Sequence, residues 1–360
     1  MTAANPERRS IWERLAEKKG EVHPLADIDL APLDESTSTF RIEHTGQLVL
    51  DDSAASIAAP VDANQPLGEL DAVTAAAYHL LVLPPGRRGE EVEALAISVW
   101  NEAGWINPGV LHLTEGVTLE GPWQVSEATH LDLGLQGDNE SVWLLRCQPV
   151  RGAAPTEEVM AREELARAFP AGMPVGVELG ALSVLRRVAR RLGGQLRIAG
   201  SGQVLVPDPG SAVNLRVYTA EPAGQDEVLA ALSERFPEVE LVTPALEGQG
   251  PSPYALLIKV GAASQVLVGL RLVTQIPRAL RWESWVRQDV FVYEVNWANL
   301  IQQTLPNGQL TRVGRRERAL VSAAISGAAA TLASLMRDVA VVDEDDFLVA
   351  LDELESPTEN

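Results

Sequence analysis

"RRVARRLGGQLRIAGSGQVLVPD", Arg186–Asp208, is the stretch on which the fold turns. Its glycines have two readings. A phosphate cradle needs a strand, a Gly-rich turn and then a helix whose N–H groups face the anion. Here the helical pattern comes first. In "GALSVLRRVARRLGG", Ala181, Leu182, Leu185, Val188, Ala189 and Leu192 recur at three- and four-residue steps and form one apolar stripe. Arg186, Arg187, Arg190 and Arg191 lie off that stripe, near the negative end of the helix dipole. Gly193 or Gly194 then supplies a left-handed stop. "QLRIA" and "QVLVP" are strand patterns on either side of Gly200-Ser201-Gly202, so these glycines mark a hairpin. No Gly-Lys-Ser/Thr follows, and Leu205 stands where a dinucleotide fingerprint has its third glycine. The stretch predicts helix, stop, strand, turn, strand, and no nucleotide loop.

The same grammar extends outward. From Tyr78, "YHLLVLPP" predicts a strand, "PGRRG" a turn and "EEVEALAISVWNEAGWI" a helix. "GVLHLT", "ATHLDLGLQ" and "SVWLLRCQ" predict strands, and "TEEVMAREELARAF" a helix capped by Thr156. Further on, "NLRVYTAEP" is a strand, "GQDEVLAALSERFP" a helix, and "VELVT", "YALLIKV", "SQVLVGLRLVT" and "QDVFVYEVNW" are strands. "ERALVSAAISGAAATLASLMRDVA" closes as a helix. Two consecutive segments thus read strand, helix, strands, helix. This predicts an α+β fold with mainly antiparallel sheets, and the shared order suggests an internal duplication. The expected division is a largely disordered tail over 1–74 with short ordered islands, a first α+β segment over 75–172, a second over 173–340, and an acidic tail over 341–360. The islands are "SIWERLAEKK", which carries Trp12, and "FRIEHTGQLVL", a small hairpin around Thr45-Gly46.

Bulk composition narrows function. At 360 residues and 46% hydrophobic the chain can bury one large core or two ordinary ones. A formal net charge of -21 disfavours non-specific attraction to nucleic acid or to a membrane surface. Lys18, Lys19 and Lys259 are the only lysines, which with abundant Ala, Gly and Arg suggests a GC-rich bacterial genome. Cys147 is the single cysteine, so no intramolecular disulfide forms. The N-terminus lacks an apolar signal region, and Ala319–Met336 is too rich in Ala and Ser to insert well. A cytoplasmic location is expected.

Chemistry is sparsely marked. His23, His44, His79, His112 and His130 have no metal-binding spacing, no Gly-x-Ser-x-Gly occurs, and no cofactor motif is found. Cys147 alternates with Trp143 and Leu145, as a buried small residue would. Trp282, Trp285, Phe291, Tyr293 and Trp297 cluster, and the last three share a face best explained as core. The expected function is therefore a non-catalytic interaction or regulatory protein with a protein partner. Its candidate contacts are the stripe Arg186, Arg187, Arg190 and Arg191, Trp12 in the tail, and Phe347 and Leu351 in the acidic end. The alternative is a binding protein or enzyme for a small anionic ligand that uses arginines.

Overall fold

The computed structural model describes residues 41–42, 48–49, 64–138, 141–246, 251–287, 289–305 and 310–355. Strands β1 (Arg41–Ile42) and β2 (Leu48–Val49) pair antiparallel, as the hairpin island predicts. Trp12 and its expected helix lie outside the described residues.

The first unit opens with helix α1 (Ala72–Ala77), β3 (His79–Leu83), α2 (Gly89–Val99), β4 (Gly104–Asn107), β5 (Val110–Thr114), β6 (Val117–Trp123), α3 (Glu127–Asp132) and β7 (Ser141–Arg146). It continues through α4 (Glu157–Arg162), α5 (Glu164–Arg167), α6 (Gly176–Leu192), β8 (Gln195–Arg197) and β9 (Val204–Leu205). The second unit contains β10 (Leu215–Thr219), α7 (Gln225–Arg235), β11 (Val239–Thr243), β12 (Tyr254–Val260), β13 (Ser264–Val273), β14 (Val290–Trp297), α8 (Arg312–Leu335), β15 (Val339–Asp343), β16 (Leu348–Val349) and α9 (Leu351–Glu355). Each unit builds one seven-stranded sheet. The orders are β4-β5-β6-β7-β3-β8-β9 and β11-β12-β13-β14-β10-β15-β16, and every ladder is antiparallel. The fold is α+β. Strand for strand the two sheets have one topology; a common ancestry for the two units is a proposal that this likeness motivates.

The opening stretch folds as its pattern predicts. Helix α6 buries Ala181, Leu182, Leu185, Val188, Ala189 and Leu192 against the first sheet. Gly193 ends it at φ 69°, a left-handed conformation that a side chain would strain. Gly194 is needed for a second reason: a Cβ there would fall 2.4 Å from the Val82 carbonyl oxygen, so only glycine lets the chain enter the sheet beside β3. The turn after β8 is closed by Ile198 N–H to Gln203 O (2.8 Å) and Gly202 N–H to Ile198 O (3.0 Å), with a strand and no helix after it.

Several expectations need correction. Residues 173–205 do not open the second segment. β8 pairs with β3 (Leu80↔Arg197, Val82↔Gln195), so the first unit runs through β9 and the boundary lies near Val206. The expected acidic tail over 341–360 is also wrong for its first part, because β15 and β16 complete the second sheet. "ATHLDLGLQ" is not a strand. Ser126 caps α3 by accepting the Thr129 N–H, and Leu131 points to solvent at 72% exposure while Leu133 and Leu135 are buried beyond the helix. Alternation of leucines imitated a strand there. The helix after Thr156 breaks at Glu163, whose backbone is extended. The apolar helix α8, long and apolar enough to cross a membrane, buries Val321, Ile325, Ala328 and Leu332 on the second sheet beside Tyr293, Val295 and Trp297.

Besides ion pairs, a buried side chain joins the two units. Phe347, in the turn between β15 and β16, is fully buried in the core of the first unit with Leu185, Val188 and Leu192 of α6. A second contact caps α2: Arg278 and Arg281 donate to the Val99 and Trp100 carbonyls at 3.0 and 3.4 Å, cations placed at a helix C-terminus. Phe347→Ala should destabilise the whole chain by roughly 3–5 kcal/mol, the usual result of truncating a buried phenyl ring. Denaturant melts followed by near-ultraviolet dichroism check this; a loss below about 1 kcal/mol would mean the ring does not hold the units together.

Candidate functional site

The arginine stripe does not face an outside partner over most of its length. Arg190 grips the Asp345 carboxylate with two guanidinium nitrogens, Nε at 2.8 Å and Nη2, and reaches Ser211 Oγ at 3.1 Å. Arg187 donates to the Asp345 carbonyl at 2.9 Å and lies over the Phe347 ring. Arg191 pairs with Glu353 of α9. The acidic turn of the second unit is therefore the partner of the stripe, and its charges are matched from both sides, since Arg216 also bonds Asp343 O and Asp346 Oδ1 at 2.9 Å. Phe347 is a buried anchor rather than an exposed docking residue. Leu351 is exposed on α9, and Arg186 lies half-buried in a cleft beside α6.

Within that turn Asp343 is almost fully buried, and its Oδ1 accepts the N–H groups of Asp345 (2.9 Å) and Phe347 (3.0 Å). Burial pushes its carboxyl up to about 6 against the pull of those donors and Arg191. The folded form thus holds a proton that the unfolded form releases near 4. From pH about 4 to 6 this group costs stability as pH rises, by at most about 1.4 kcal/mol per unit. Asp343→Asn keeps an acceptor without the charge. Its stability relative to the parent should improve steadily across that window in urea melts; a constant difference from pH 4 to 7 would contradict the assignment.

Two titratable groups with catalytic potential are held in structural roles. His79 Nδ1 accepts the Ala199 N–H at 3.1 Å, so Nε2 carries the proton and donates to Glu178 Oε1 at 3.1 Å. Burial lowers the His79 pKa, and the Glu178 partnership only partly offsets it. Glu178 is fully buried and also accepts from the Val150 N–H (2.9 Å) and Arg151. Both ring nitrogens of His79 are therefore occupied. Cys147 is half-buried against the first core, and burial pushes its thiol up to about 11, far from a reactive thiolate. His130 stands in α3 and His112 beside Glu102 at 3.8 Å. Among the described residues no group of three His, Cys, Asp or Glu is placed to hold a metal ion.

A different place forms a cleft. The turn "PGRRG" between β3 and α2, the end of β6 and the start of β7 enclose a cleft of about 380 Å³ with Asn64 and Pro66 on its rim. Its wall carries Trp123, Ser141 and Trp143, and each has a buried polar atom with no hydrogen-bond partner among the described residues: Nε1, Oγ and Nε1. Ser141 is 8% and Trp143 1% exposed. Leaving one such group unpaired costs about 1–3 kcal/mol. The three atoms are closed to the cleft itself and do not converge, because Trp123 shares the Val142 face of the sheet while Ser141 and Trp143 lie on the opposite face. The cleft is rigidly framed. The segment before α1 is strapped to β6 by Leu67 N–H to Pro122 O and Leu70 N–H to Gln124 O, both 2.8 Å. Asn64 Oδ1 accepts the Gly89 N–H at 2.9 Å, and Glu91 accepts that of Arg88 at 2.7 Å, which satisfies two N–H groups at the start of α2. Arg87 is tied to Glu91 and, through Nε at 3.0 Å, to the Leu192 carbonyl that ends α6. Arg88 is exposed, and no ion pair holds it among the described residues.

The sequence pattern missed this site. It treats "PGRRG" as a plain turn and Trp143 as core. A strand, a Gly-containing turn and a helix do follow one another there, the order that the pattern sought at Gly200-Ser201-Gly202. No protein-family model, curated protein or solved structure matches the chain.

Proposed function

We propose that the protein is a non-catalytic regulatory protein that acts by binding a small molecule in the cleft beside α2. The observation that carries this reading is a cleft of small-molecule size, about 380 Å³, lined by Arg87, Arg88, Pro66, Pro122, Trp123 and Trp143. Of the two readings the sequence supports, this is the anionic-ligand one with its site moved from Arg186–Arg191 to the Arg87–Gly89 turn. The protein-partner reading rested on the arginine stripe, Phe347 and Leu351. Most of those side chains are engaged inside the chain, so the small-molecule reading is the one carried forward. A cytoplasmic setting, expected from the single cysteine and the N-terminal composition, belongs to the same proposal.

The reading has a direct test. A protein-free small-molecule fraction of the native cytosol should raise the melting temperature of the parent chain. Ser141→Ala removes an unpartnered buried hydroxyl, so by itself it should leave stability unchanged or raise it by about 1 kcal/mol. The variant should nevertheless lose part of the ligand-induced shift. An absent shift in the parent, or an equal shift in the variant, would remove the support for a ligand at this cleft.

A further inference from the structure

We infer that the exposed face at the start of α8 is a docking surface for an acidic segment of a partner protein that also presents apolar side chains; this is independent of the cleft beside α2. α8 buries Gly314, Val321, Ile325 and Ala328 on one side. The other side of its first turns carries Arg312, Val313, Arg316 and Leu320, which recur at helical steps and are all exposed. Ile301 stands beside them at 85% exposure, because the Gln303 carbonyl that ends its short turn accepts the Thr311 N–H at 2.7 Å and fastens that turn to α8. The arginines have no structural reason to be there. Arg312 and Arg316 make no hydrogen bond or ion pair among the described residues, and Arg315 only donates to the Leu310 carbonyl at 2.7 Å. Cations at the start of a helix face the positive end of its dipole and weaken it, and no acid stands in that turn to offset them. On α6 the arginines lie at the favourable C-terminal end and are engaged.

The molecule itself shows what an arginine face on this helix receives. α6 lies between β7 and β8, and α8 between β14 and β15, strands that hold equivalent places in the two sheets. The arginines of α6 take an acidic turn whose Asp345 pairs with Arg190 and whose Phe347 is buried beside it. The same chemistry fits α8 from outside: carboxylates for the guanidiniums, and an apolar anchor for Ile301, Val313 and Leu320. A second copy of the chain does not fit, because pairing this face with itself across a two-fold axis adds cations and no carboxylate. Nucleic acid and anionic lipid are repelled by the net charge of -21, and the apolar residues offer nothing to a phosphate backbone.

The probe is a labelled synthetic peptide with leucines at three- and four-residue steps and glutamates between them, titrated with the full chain by fluorescence anisotropy. Saturable binding is expected. Replacing the peptide's leucines with serine, or its glutamates with glutamine, should each weaken binding at least about tenfold, since the surface uses both. Arg316→Glu changes an exposed side chain, so it should melt like the parent while its affinity falls at least about tenfold. Leu320→Ser should lose about as much. Arg162→Glu makes the same charge change on the exposed helix α4 and should bind like the parent. No binding of the acidic peptide at millimolar concentration, an Arg316→Glu variant that binds like the parent, or an equal loss in Arg162→Glu would each overturn the assignment. So would a dimer in sedimentation that Arg316→Glu dissociates, which would make the occupant a second copy. Capture of the chain by phosphatidylserine vesicles that Arg316→Glu abolishes would overturn it in favour of a membrane.

Discussion

The two-nitrogen grip of Arg190 on Asp345, with Phe347 buried beside it, is the contact on which the rest of the molecule depends. It joins an acidic turn of the second sheet to a basic helix of the first. The Asp345 side chain is 7% exposed and that of Arg190 20%. Such a pair is a weak source of net stability, but removing one partner strands a buried charge and is strongly destabilising. What the pair supplies is register. It sets where the turn lies along α6 so that Phe347 enters the first core between the apolar residues of that helix.

Helix α6 then transmits this placement to the cleft. On one face it holds the second unit. At its C-terminus the Leu192 carbonyl receives Arg87, which fixes the turn between β3 and α2. The cleft is thus framed at one remove from the junction between units. The physical chain is continuous: acidic turn, arginine helix, Arg87, cleft wall. The contrast with the His79–Glu178 cluster is informative. There a fully buried carboxylate has a partner for each oxygen and its histidine has a partner for each nitrogen. A network satisfied to that degree has no capacity left for a ligand. Among the described residues, three side-chain atoms of residues that line the cleft have no partner.

The sequence made the main elements legible because their patterns are local. The apolar stripe of α6, the Gly193 stop and the alternation along β12, β13 and β14 are each contained in one window of chain. Strand pairing is not local. Nothing in "QLRIA" says that it will lie beside β3, more than a hundred residues earlier, and the boundary between units was misplaced for that reason. "ATHLDLGLQ" misled because three alternating leucines outweighed the Ser126 cap. The acidic end hid β15, since Asp343 to Asp346 look like solvated tail until Arg187, Arg190 and Arg216 are seen to surround them. The site was the least legible part. Trp143 is an ordinary core residue by pattern. Only the spatial arrangement shows that Trp123 and Trp143 line one cleft and that their indole nitrogens have no partner among the described residues.

A ligand in the proposed cleft is reported most directly by the Trp143 Nε1 proton, because Trp143 lines the cleft and its indole N–H has no acceptor among the described residues. In a nitrogen-15 correlation spectrum of the full chain, that indole resonance should lie at the upfield position of an N–H without an acceptor. Addition of the cytosolic small-molecule fraction should move it downfield, as a new hydrogen bond to the proton requires. Tryptophans remote from the cleft, such as Trp297, should keep their positions. A Trp143 signal already at the hydrogen-bonded position and unmoved by the fraction would contradict the account.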